Sequence, residues 1–484
     1  RTNVERLERR GCGYVGKHED DIFLTGDQWF RGIDIRQGPD GSAYILDWSD
    51  TGECHDSTGV HRSSGRIYRI SRGETVAPDL SDLEKLDKEG IDRMLKHPNV
   101  WYERQLRRRL KNEHAPILHA LFQDESDPLI KLRTLWALKA IREAKPELLH
   151  ALLEHEDEHL RAWAIRLLTD KQPIDSILGP MWLADESPDI GRFVKMAESD
   201  PSGIVRLTLA STLQRLPVRQ RELLGKALAS RGEDATDHNQ PSMVWYGLIP
   251  LMDEDPMALA RIAGSTKWPT LQRWIARSLA GGFESNSIPL NLLLLTSVKA
   301  NTEIQAAVLD GIGDAFTGWK NAPQPQAWIP FVGAAKDPQL AGKIRELSLL
   351  FGNREALQAV KKLALDPSVK LGARQSAMRA LIEKAPTDLR EICEELLTQT
   401  GINTTAARGL ASFDDPAIGQ KIAASYAQFD TADRSAIVEL LVSRPAWVRA
   451  LFVEMQAGNI PSGDLAAFHA RQIRAFDDKE LNRQ

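Results

Sequence analysis

The chain has 484 residues, 42% of them hydrophobic, and a formal net charge of −5. This length predicts two or more folded domains, and the acidic balance gives no electrostatic basis for nucleic-acid binding. No run of about 18 apolar residues occurs, so no membrane span is predicted. The first residue is Arg1 rather than methionine, so we expect the chain to be part of a longer protein.

Residues 1–73 carry strand and turn patterns. Residues 30–36 place Ile33 and Ile35 at alternate positions, which is typical of a strand. The following QGPDG segment predicts a turn, because Pro39 fixes φ and Gly41 tolerates positive φ. Residues 43–47 and 65–70 predict two further strands, while residues 1–25 have a weaker strand pattern. This spacing suits a β-propeller blade, which needs neighbouring blades to cover its faces.

The character of the sequence changes after residue 73. Residues 74–82 form a polar, proline-containing linker, and helical periodicity dominates from residue 83 onward. Many of the short helices are predicted to open with Asp-Pro or His-Pro, because Asp is a good N-cap and Pro suits the first helical position. The predicted openers are His97-Pro98, Asp127-Pro128, Asp200-Pro201, Asp255-Pro256, Asp337-Pro338, Asp366-Pro367 and Asp415-Pro416.

An arginine followed by alanine three or four residues later recurs in these helices. The arginines are Arg133, Arg161, Arg206, Arg273 and Arg374. Residues at this spacing share a helix face. The small alanine therefore admits a neighbouring helix, and the arginine can reach a preceding turn or a nearby Asp. The repetition is typical of HEAT repeats. We therefore predict a mainly α fold, in which a HEAT-like α-solenoid over residues 83–456 follows the last blade or blades of a β-propeller. Trp136, Trp163 and Trp274 are predicted to pack between helices.

A family resemblance rests on three segments. These are WFRGIDIRQGPDGSAYILDWSD at residues 29–50, GRIYRI at residues 65–70, and HARQIRAF at residues 469–476. Together they resemble the large membrane-bound dehydrogenases of planctomycetes and verrucomicrobia, whose propeller is similar to those of sorbosone and soluble glucose dehydrogenases. In that family, helical repeats and then a c-type haem domain follow the propeller. No Cys-x-x-Cys-His occurs in this chain. The haem domain and most blades are therefore expected outside it, with residues 457–484 as the helix leading towards the haem domain.

The resemblance implies a function for the longer protein. It would be a periplasmic or cell-envelope oxidoreductase of sugars or alcohols, using haem c and a PQQ-like quinone with calcium. This chain would be a non-catalytic part that holds no cofactor, and its HEAT region would be a spacer and docking scaffold. Its partners would be the missing blades, the haem domain, and proteins bound on the solenoid. The alternative is a HEAT-repeat protein-binding scaffold without a redox role. A Cys-x-x-Cys-His motif beyond Gln484 would distinguish the two.

Five residues of the predicted blade are candidate cofactor ligands. Asp47, Asp50 and His55 lie in or beside the loop after the second strand, and carboxylates there would suit calcium. The adjacent Cys54 and His55 do not match zinc-site spacing. The alternative is a hydrogen-bonded loop in which Asp47 caps a turn.

Arg31 and Asp34 lie on the predicted innermost strand, which lines the channel of a propeller. They would either face a ligand or hold adjacent blades together. Because they are three residues apart, they should point to opposite faces of a regular strand.

Cysteine and histidine residues raise two further hypotheses. Cys12 and Cys54 both lie in the blade region, where a disulfide would fit an oxidising compartment. Cys393 lies on a helical pattern and is predicted to be a small core residue. His155 and His159 match the His-Glu-x-x-His string of zinc peptidases. The segment is polar and directly precedes a repeat helix, so we predict a turn between repeats instead.

Overall fold

A computed structural model describes residues 2–49, 64–75, 77–176, 179–180 and 185–484 of the chain. It is mainly helical, with 60% helix and a few small sheets, which agrees with the predicted α-solenoid class. The chain divides into two compact units, Arg1–Ile275 and Ala276–Gln484. Each unit is described below by itself.

Two small antiparallel sheets lie in the first unit. Their strands are β1 (Thr2–Arg10), β2 (Gly13–Phe23), β3 (Gly32–Gln37), β4 (Ala43–Asp47) and β5 (Arg66–Ile70). Strands β1 and β2 form a hairpin, whereas β3, β4 and β5 form a separate sheet in that order. The three strands predicted between residues 30 and 70 are confirmed. Gly41 has a φ of 80° in the β3–β4 turn, so the prediction of a positive φ at this glycine is also correct.

Helices make up the rest of the first unit. Their bounds are α1 (Ser81–Lys85), α2 (Lys88–Lys96), α3 (Val100–Arg109), α4 (Ala115–Asp124), α5 (Pro128–Ala140), α6 (Pro146–Leu152), α7 (Glu158–Thr169), α8 (Ile190–Ser199), α9 (Gly203–Thr212), α10 (Val218–Ala229), α11 (Gln240–Leu248), α12 (Leu251–Glu254) and α13 (Pro256–Ala263), and α14 (Pro269–Gly281) crosses the unit boundary. Helices α3, α5, α7, α9 and α11 contact one another in series, and we call them the odd-numbered row. Helices α2, α4, α6, α8 and α10 pack beside this row, as stacked helix pairs do.

The second unit repeats the same arrangement of paired helices. Its helices are α15 (Ile288–Ser297), α16 (Thr302–Ala315), α17 (Trp328–Ala334), α18 (Ala341–Leu350), α19 (Arg354–Leu365), α20 (Leu371–Lys384), α21 (Leu389–Leu396), α22 (Asn403–Leu410), α23 (Pro416–Ala424), α24 (Arg434–Leu441), α25 (Pro445–Gln456), α26 (Ala467–Arg474) and α27 (Lys479–Arg483). Helices α20, α22 and α24 contact in series, and each is packed on the helix that precedes it. Cys393, Tyr426 and Trp447 are buried in the core of this unit. The prediction that Cys393 is a core residue is therefore confirmed, and burial raises the pKa of its thiol to about 12.

Four of the seven predicted Asp-Pro or His-Pro openers cap a helix. Asp127, Asp255 and Asp415 cap α5, α13 and α23, and Asp337 caps a short 3₁₀ turn. The other three predictions are wrong. In these cases the helix begins further along the chain, at Val100, Gly203 and Leu371, and a residue other than the predicted Asp or His is the N-cap. At α9 the physical reason is visible, because the Asp200 carboxylate pairs with Arg161 and Ser202 caps the helix in its place.

The arginines of the repeated pattern mostly behave as predicted. Arg133, Arg161, Arg206 and Arg374 are buried, and each donates to carbonyl oxygens of neighbouring turns. Arg273 differs from these four because its side chain is exposed.

Among the described residues, no helix is both long enough and apolar enough to cross a membrane.

Candidate functional site

Asp47 anchors the three-stranded sheet. Its side chain is fully buried and accepts hydrogen bonds from the backbone N–H of Arg31 (2.7 Å) and Ser49 (3.0 Å). The guanidinium of Arg66 donates to the same carboxylate at 2.7 Å and also pairs with Asp27 at 2.7 Å. Burial alone would raise the pKa of Asp47, but these donors outweigh it and hold the pKa below its usual value. These contacts agree with the interpretation that Asp47 caps a turn.

The structure brings Arg31 and Asp47 together but gives Asp34 a different partner. The Arg31 guanidinium donates to the carbonyls of Gln28 (3.2 Å) and Phe30 (3.1 Å), just before β3 begins. Asp34 is partly exposed and pairs with Arg36 at 2.8 Å. An irregularity in the β3–β4 register lies between Gly32 and Asp34, so the simple alternation expected along this strand does not hold.

Two of the five candidate ligands, Asp50 and His55, lie outside the described residues, as does Cys54. Within the part of the chain that the structure describes, no group of three or more His, Cys, Asp or Glu side chains is arranged to hold a metal ion. The described residues therefore show a structural ion-pair cluster at this edge, formed by Asp27, Asp47 and Arg66.

Apolar side chains are exposed on both faces of the three-stranded sheet. Ile67 is 70% exposed and Ile33 is 63% exposed. Cross-strand partners face the same side, so Ile35 lies on the face of the buried Ile45, whereas Leu46 and Ile67 lie on the opposite face. Both Ile35 and Leu46 are also exposed. Apolar side chains on both faces of this small sheet are therefore exposed to water, so the sheet is poorly covered by the rest of the described chain.

The sheet is nevertheless fixed to the helical repeats through the turn between β3 and β4. The Asn99 side chain, which also caps α3, donates to the backbone carbonyl of Gly38 at 2.8 Å, and this hydrogen bond is buried. The Tyr102 hydroxyl donates to the carbonyl of Pro39 at 3.2 Å. The turn between β3 and β4 is therefore held on the N-terminal end of α3.

The β1–β2 hairpin is held on the repeats by its tip. The Cys12 N–H donates to the Asp237 carboxylate at 2.8 Å, and the Cys12 thiol donates to Asp234 at 3.2 Å. Arg9 pairs with Glu158 at 3.1 Å. The tip packs against α9 so closely that a Cβ added at Gly203 would lie 2.8 Å from the Cys12 Cα atom. The tip therefore contacts the N-terminal ends of α7 and α9 and the turn before α11.

Cys12 is a buried free thiol. The hypothesis of a disulfide with Cys54 involves a residue that lies outside the described part of the chain. Burial and the neighbouring carboxylate of Asp234 hold the pKa of Cys12 well above its usual value, so the thiol stays protonated. Its hydrogen bond to a residue 222 positions away has no signature in the sequence.

A ladder of buried ion pairs links successive repeats beneath the hairpin. Arg161 forms two hydrogen bonds with Asp200 at 2.8 and 2.9 Å. Arg206 does the same with Asp234 at 2.5 and 2.7 Å and also donates to the Asp200 carbonyl. Burial acts to lower the pKa of Arg206, but the bonds to Asp234 outweigh it and raise the pKa above its usual value. The repeated pattern predicted that an arginine can reach a nearby Asp, but the sequence does not identify Asp234 as the partner of Arg206.

His155 and His159 do not form a zinc-peptidase site. His155 lies before α7, where its Nδ1 accepts the Asp157 N–H at 3.0 Å, and Asp157 caps the helix. His159 is exposed in the first turn of α7. The two residues are therefore not on one helix, and the prediction of a turn between repeats is confirmed.

A cavity lies beside this turn. It has a volume of about 740 Å³ and is lined by side chains that include His150, His155, Arg161, Arg192 and Lys195. Its buried arginine, Arg161, is already engaged by Asp200. His150 lies 2.8 Å from Asp189, which also pairs with Arg192. Arg161 and Arg192 of this cavity are thus already paired with carboxylates of the protein itself.

Comparisons with known proteins identify no family. No protein-family model matches the chain, and no curated protein matches it. Among solved structures, the chain is similar to the crystal structure of an engineered protein from the Northeast Structural Genomics Consortium. The identity is 14%, the match covers 78% of this chain and 97% of that one, and the TM-score is 0.25. A TM-score this low supports no conclusion about fold or function.

Proposed function

We propose that the chain is the non-catalytic scaffold of a periplasmic or cell-envelope oxidoreductase of the propeller, HEAT-repeat and c-type haem family that its sequence resembles. In this proposal, strands β3 to β5 belong to the last blade of the propeller. The helical repeats are the spacer and docking surface between that propeller and a haem domain outside the chain. The observation that carries the proposal is the poorly covered sheet, with Ile33 and Ile67 in water on a sheet that is fixed to α3.

The exposed residues favour further strands as the cover. Sheets that pack face to face bury alternate apolar side chains between them. Leu46 and Ile67 on one face and Ile35 on the other offer such side chains on both sides of this sheet. A blade inside a propeller has one neighbour on each face, which is the cover that this distribution requires.

The cofactors of this proposal lie mostly in other parts of the protein. A PQQ-like quinone with calcium would bind in the propeller, and haem c in the following domain. Arg31 and Asp34, with Asp50 and His55, remain the candidates for the edge nearest the cofactor. Asp47 would act indirectly. Its carboxylate accepts hydrogen bonds from Arg66 and from two backbone N–H groups, and these bonds fix the positions of the residues at that edge.

Dye reduction tests the redox part of the proposal. We expect the gene product extended in both directions to reduce an artificial electron acceptor with sugars or alcohols. Residues 1–484 alone should give no rate above background, because they carry neither the other blades nor a haem-attachment motif. Dye reduction by this chain alone would overturn the assignment of a non-catalytic role.

A charged substitution on the three-stranded sheet tests whether the sheet belongs to a propeller blade. In the extended protein, we expect Ile33→Asp to reduce the rate or the thermal stability strongly, because the side chain would be covered by a neighbouring blade. Ile288→Asp is the matched control, since Ile288 is 65% exposed on α15 and Ile33 is 63% exposed on the sheet. Equal and small effects of the two substitutions would contradict the blade assignment.

A second candidate is a protein-binding scaffold without a redox role. The paired helices and their ladder of buried ion pairs favour it, because a stack of repeats offers an extended surface whatever chemistry lies elsewhere. This candidate would replace the first if the extended protein reduced no dye and its flanking sequence contained no Cys-x-x-Cys-His.

A further inference from the structure

On α5, α7, α9 and α11 of the odd-numbered row, one line of side chains is exposed or half-buried, and we call it the strip. On α7, the strip residues His159, Trp163 and Arg166 are four and three positions apart, as expected for residues on one helix face. The strip comprises Leu129 and Trp136 on α5, His159, Trp163 and Arg166 on α7, Leu207 and Ser211 on α9, Ser242 and Tyr246 on α11, and Ile249 directly after α11. Neighbouring helices of the row therefore present these side chains next to one another.

Two tryptophans and two arginines form a continuous cluster on this strip and beside it. The rings of Trp136 and Trp163 meet edge to face, with 5.0 Å between their centroids. The Arg107 guanidinium lies over Trp136 at 5.5 Å, and that of Arg166 lies over Trp163 at 5.2 Å. We call these four residues the Trp–Arg patch. It confirms that both tryptophans pack between helices, but their side chains are only half-buried.

The two arginines of the patch differ in how their charge is balanced. Arg107 pairs with the buried carboxylate of Glu103 at 2.7 Å. Arg166 has no carboxylate partner among the residues that the structure describes. Arg166 is exposed at the surface, and partial desolvation lowers the pKa of its guanidinium below its usual value. In addition, the indole N–H of Trp136 has no acceptor in the described part of the chain.

We infer that the Trp–Arg patch binds an acidic segment of a partner protein, with a Glu or Asp carboxylate on Arg166 and an apolar side chain on the two indole rings. A carboxylate gives the guanidinium the charge-assisted hydrogen bonds that it lacks. Half-buried tryptophans beside an arginine are typical of residues that contribute most to protein interfaces. This inference depends on the scaffold role proposed above but not on the redox assignment.

The local charge favours a protein partner over nucleic acid. The chain as a whole carries a net charge of −5, which would repel a long polyanion. A short acidic segment needs only a local positive site. Arg166 provides it beside Trp163, whereas the charge of Arg107 is already balanced by Glu103. The tip of the β1–β2 hairpin contacts Glu158 at the start of α7 and Gly203 at the start of α9. Trp163 and Arg166 lie C-terminal to this contact on α7.

Fluorescence anisotropy with a defined probe tests the inference. The probe is a fluorescein-labelled peptide of about twelve residues, mostly glutamate with two leucines. The variant is Arg166→Gln, which removes the unbalanced charge from an exposed position. Arg379→Gln is the matched control, because Arg379 is also exposed and belongs to α20, which is not a helix of the odd-numbered row. Thermal melting of each variant confirms that it is folded.

We expect saturable binding of the probe, a loss of about tenfold or more in affinity for Arg166→Gln, and no change for Arg379→Gln. A peptide with glutamine in place of every glutamate should bind at least about tenfold more weakly. The inference is overturned if the probe does not bind, if Arg166→Gln binds as tightly as wild type, or if a single-stranded DNA of equal charge binds equally well. These outcomes leave the dye-reduction and blade tests unaffected, so failure here is distinguishable from failure of the proposed function.

Discussion

The three-stranded sheet and the odd-numbered row of helices, both in the first unit, are stabilised in different ways. In the row, apolar side chains such as Leu135, Ile165 and Leu209 are completely buried, and buried Arg–Asp pairs join the turns. In the sheet, Ile45 is the well-buried aliphatic side chain of the central strand, and Ile67 lies in water. The difference indicates that the helical repeats bury a continuous apolar core, whereas the sheet is held by its ion pairs and leaves apolar side chains exposed to water.

The largest expected effect is on the repeats, at the Arg206–Asp234 pair. Asp234→Ala would leave the Arg206 guanidinium buried without its carboxylate and the Cys12 thiol without its acceptor. Removing one partner of a buried ion pair destabilises a protein by about 3–5 kcal/mol. We expect a loss of this size in the free energy of unfolding, measured with urea.

Asp253→Ala serves as the control for this experiment. Asp253 is exposed on α12 in the same unit, and surface substitutions of this kind usually change stability by less than about 0.5 kcal/mol. If Asp234→Ala lost no more stability than Asp253→Ala, the ladder of ion pairs would not stabilise the repeats, and the contrast with the sheet would fail.

Local patterns predicted much of the fold. The strand predicted from Ile33 and Ile35, the turn at Gly41 and the recurrence of arginine before alanine depend on neighbouring residues. The strand and the turn are confirmed, and four of the five arginines are buried as the pattern suggested. Helix starts were less predictable where tertiary contacts compete. At α9, Arg161 occupies the Asp200 carboxylate, and Ser202 becomes the cap.

The candidate site was less predictable than the fold, because its contacts join distant parts of the chain. Asp47 was identified, but its partner Arg66 lies 19 residues away, and arginines are too common for that spacing to be a signal. The hydrogen bond between Cys12 and Asp234 spans 222 residues. The sequence raised a disulfide with Cys54 only as a hypothesis, because the separation of the two cysteines in space cannot be read from it.

The second prediction concerns the hairpin, which joins β-structure to the repeats. Gly203→Ala would place a Cβ 2.8 Å from the Cys12 Cα atom, so the hairpin tip must shift. Overpacking of this kind costs about 1–3 kcal/mol. We expect the Cys12 thiol to react faster with a thiol reagent in this variant, because the burial and the hydrogen bond that keep it protonated would weaken.

Measurements in a Cys54→Ser background isolate Cys12, because Cys393 is completely buried in the second unit. Gly191→Ala is the matched control, since an added Cβ at this helix start meets no atom within 4 Å. Equal thiol reactivity in Gly203→Ala and Gly191→Ala would show that the hairpin tip is not held as described.

The third prediction uses acid to test the ion pairs of the sheet. The pKa of Asp47 is lowered in the folded protein, so its stabilising contribution is complete above the unfolded value of about 4. That contribution is lost as the pH falls through the lower, folded pKa. We expect the Arg31 and Ser49 amide resonances to titrate below about pH 4 in NMR spectra. Asp47→Asn should abolish this titration, whereas Asp34→Asn should preserve it, because Asp34 pairs with Arg36. Titration near pH 4 or above would contradict the assignment.

The smallest expected effect is on the exposed face of the sheet. Ile67→Ala removes a side chain that is 70% exposed, so we expect the free energy of unfolding of this chain to change by less than about 0.5 kcal/mol. Leu209→Ala on α9 removes a completely buried side chain and should cost about 2–5 kcal/mol. Urea unfolding of both variants measures the contrast directly. A loss of more than about 1.5 kcal/mol for Ile67→Ala would mean that the described chain already covers this face. The sheet would then need no neighbouring blade, and the observation that carries the proposed function would be removed.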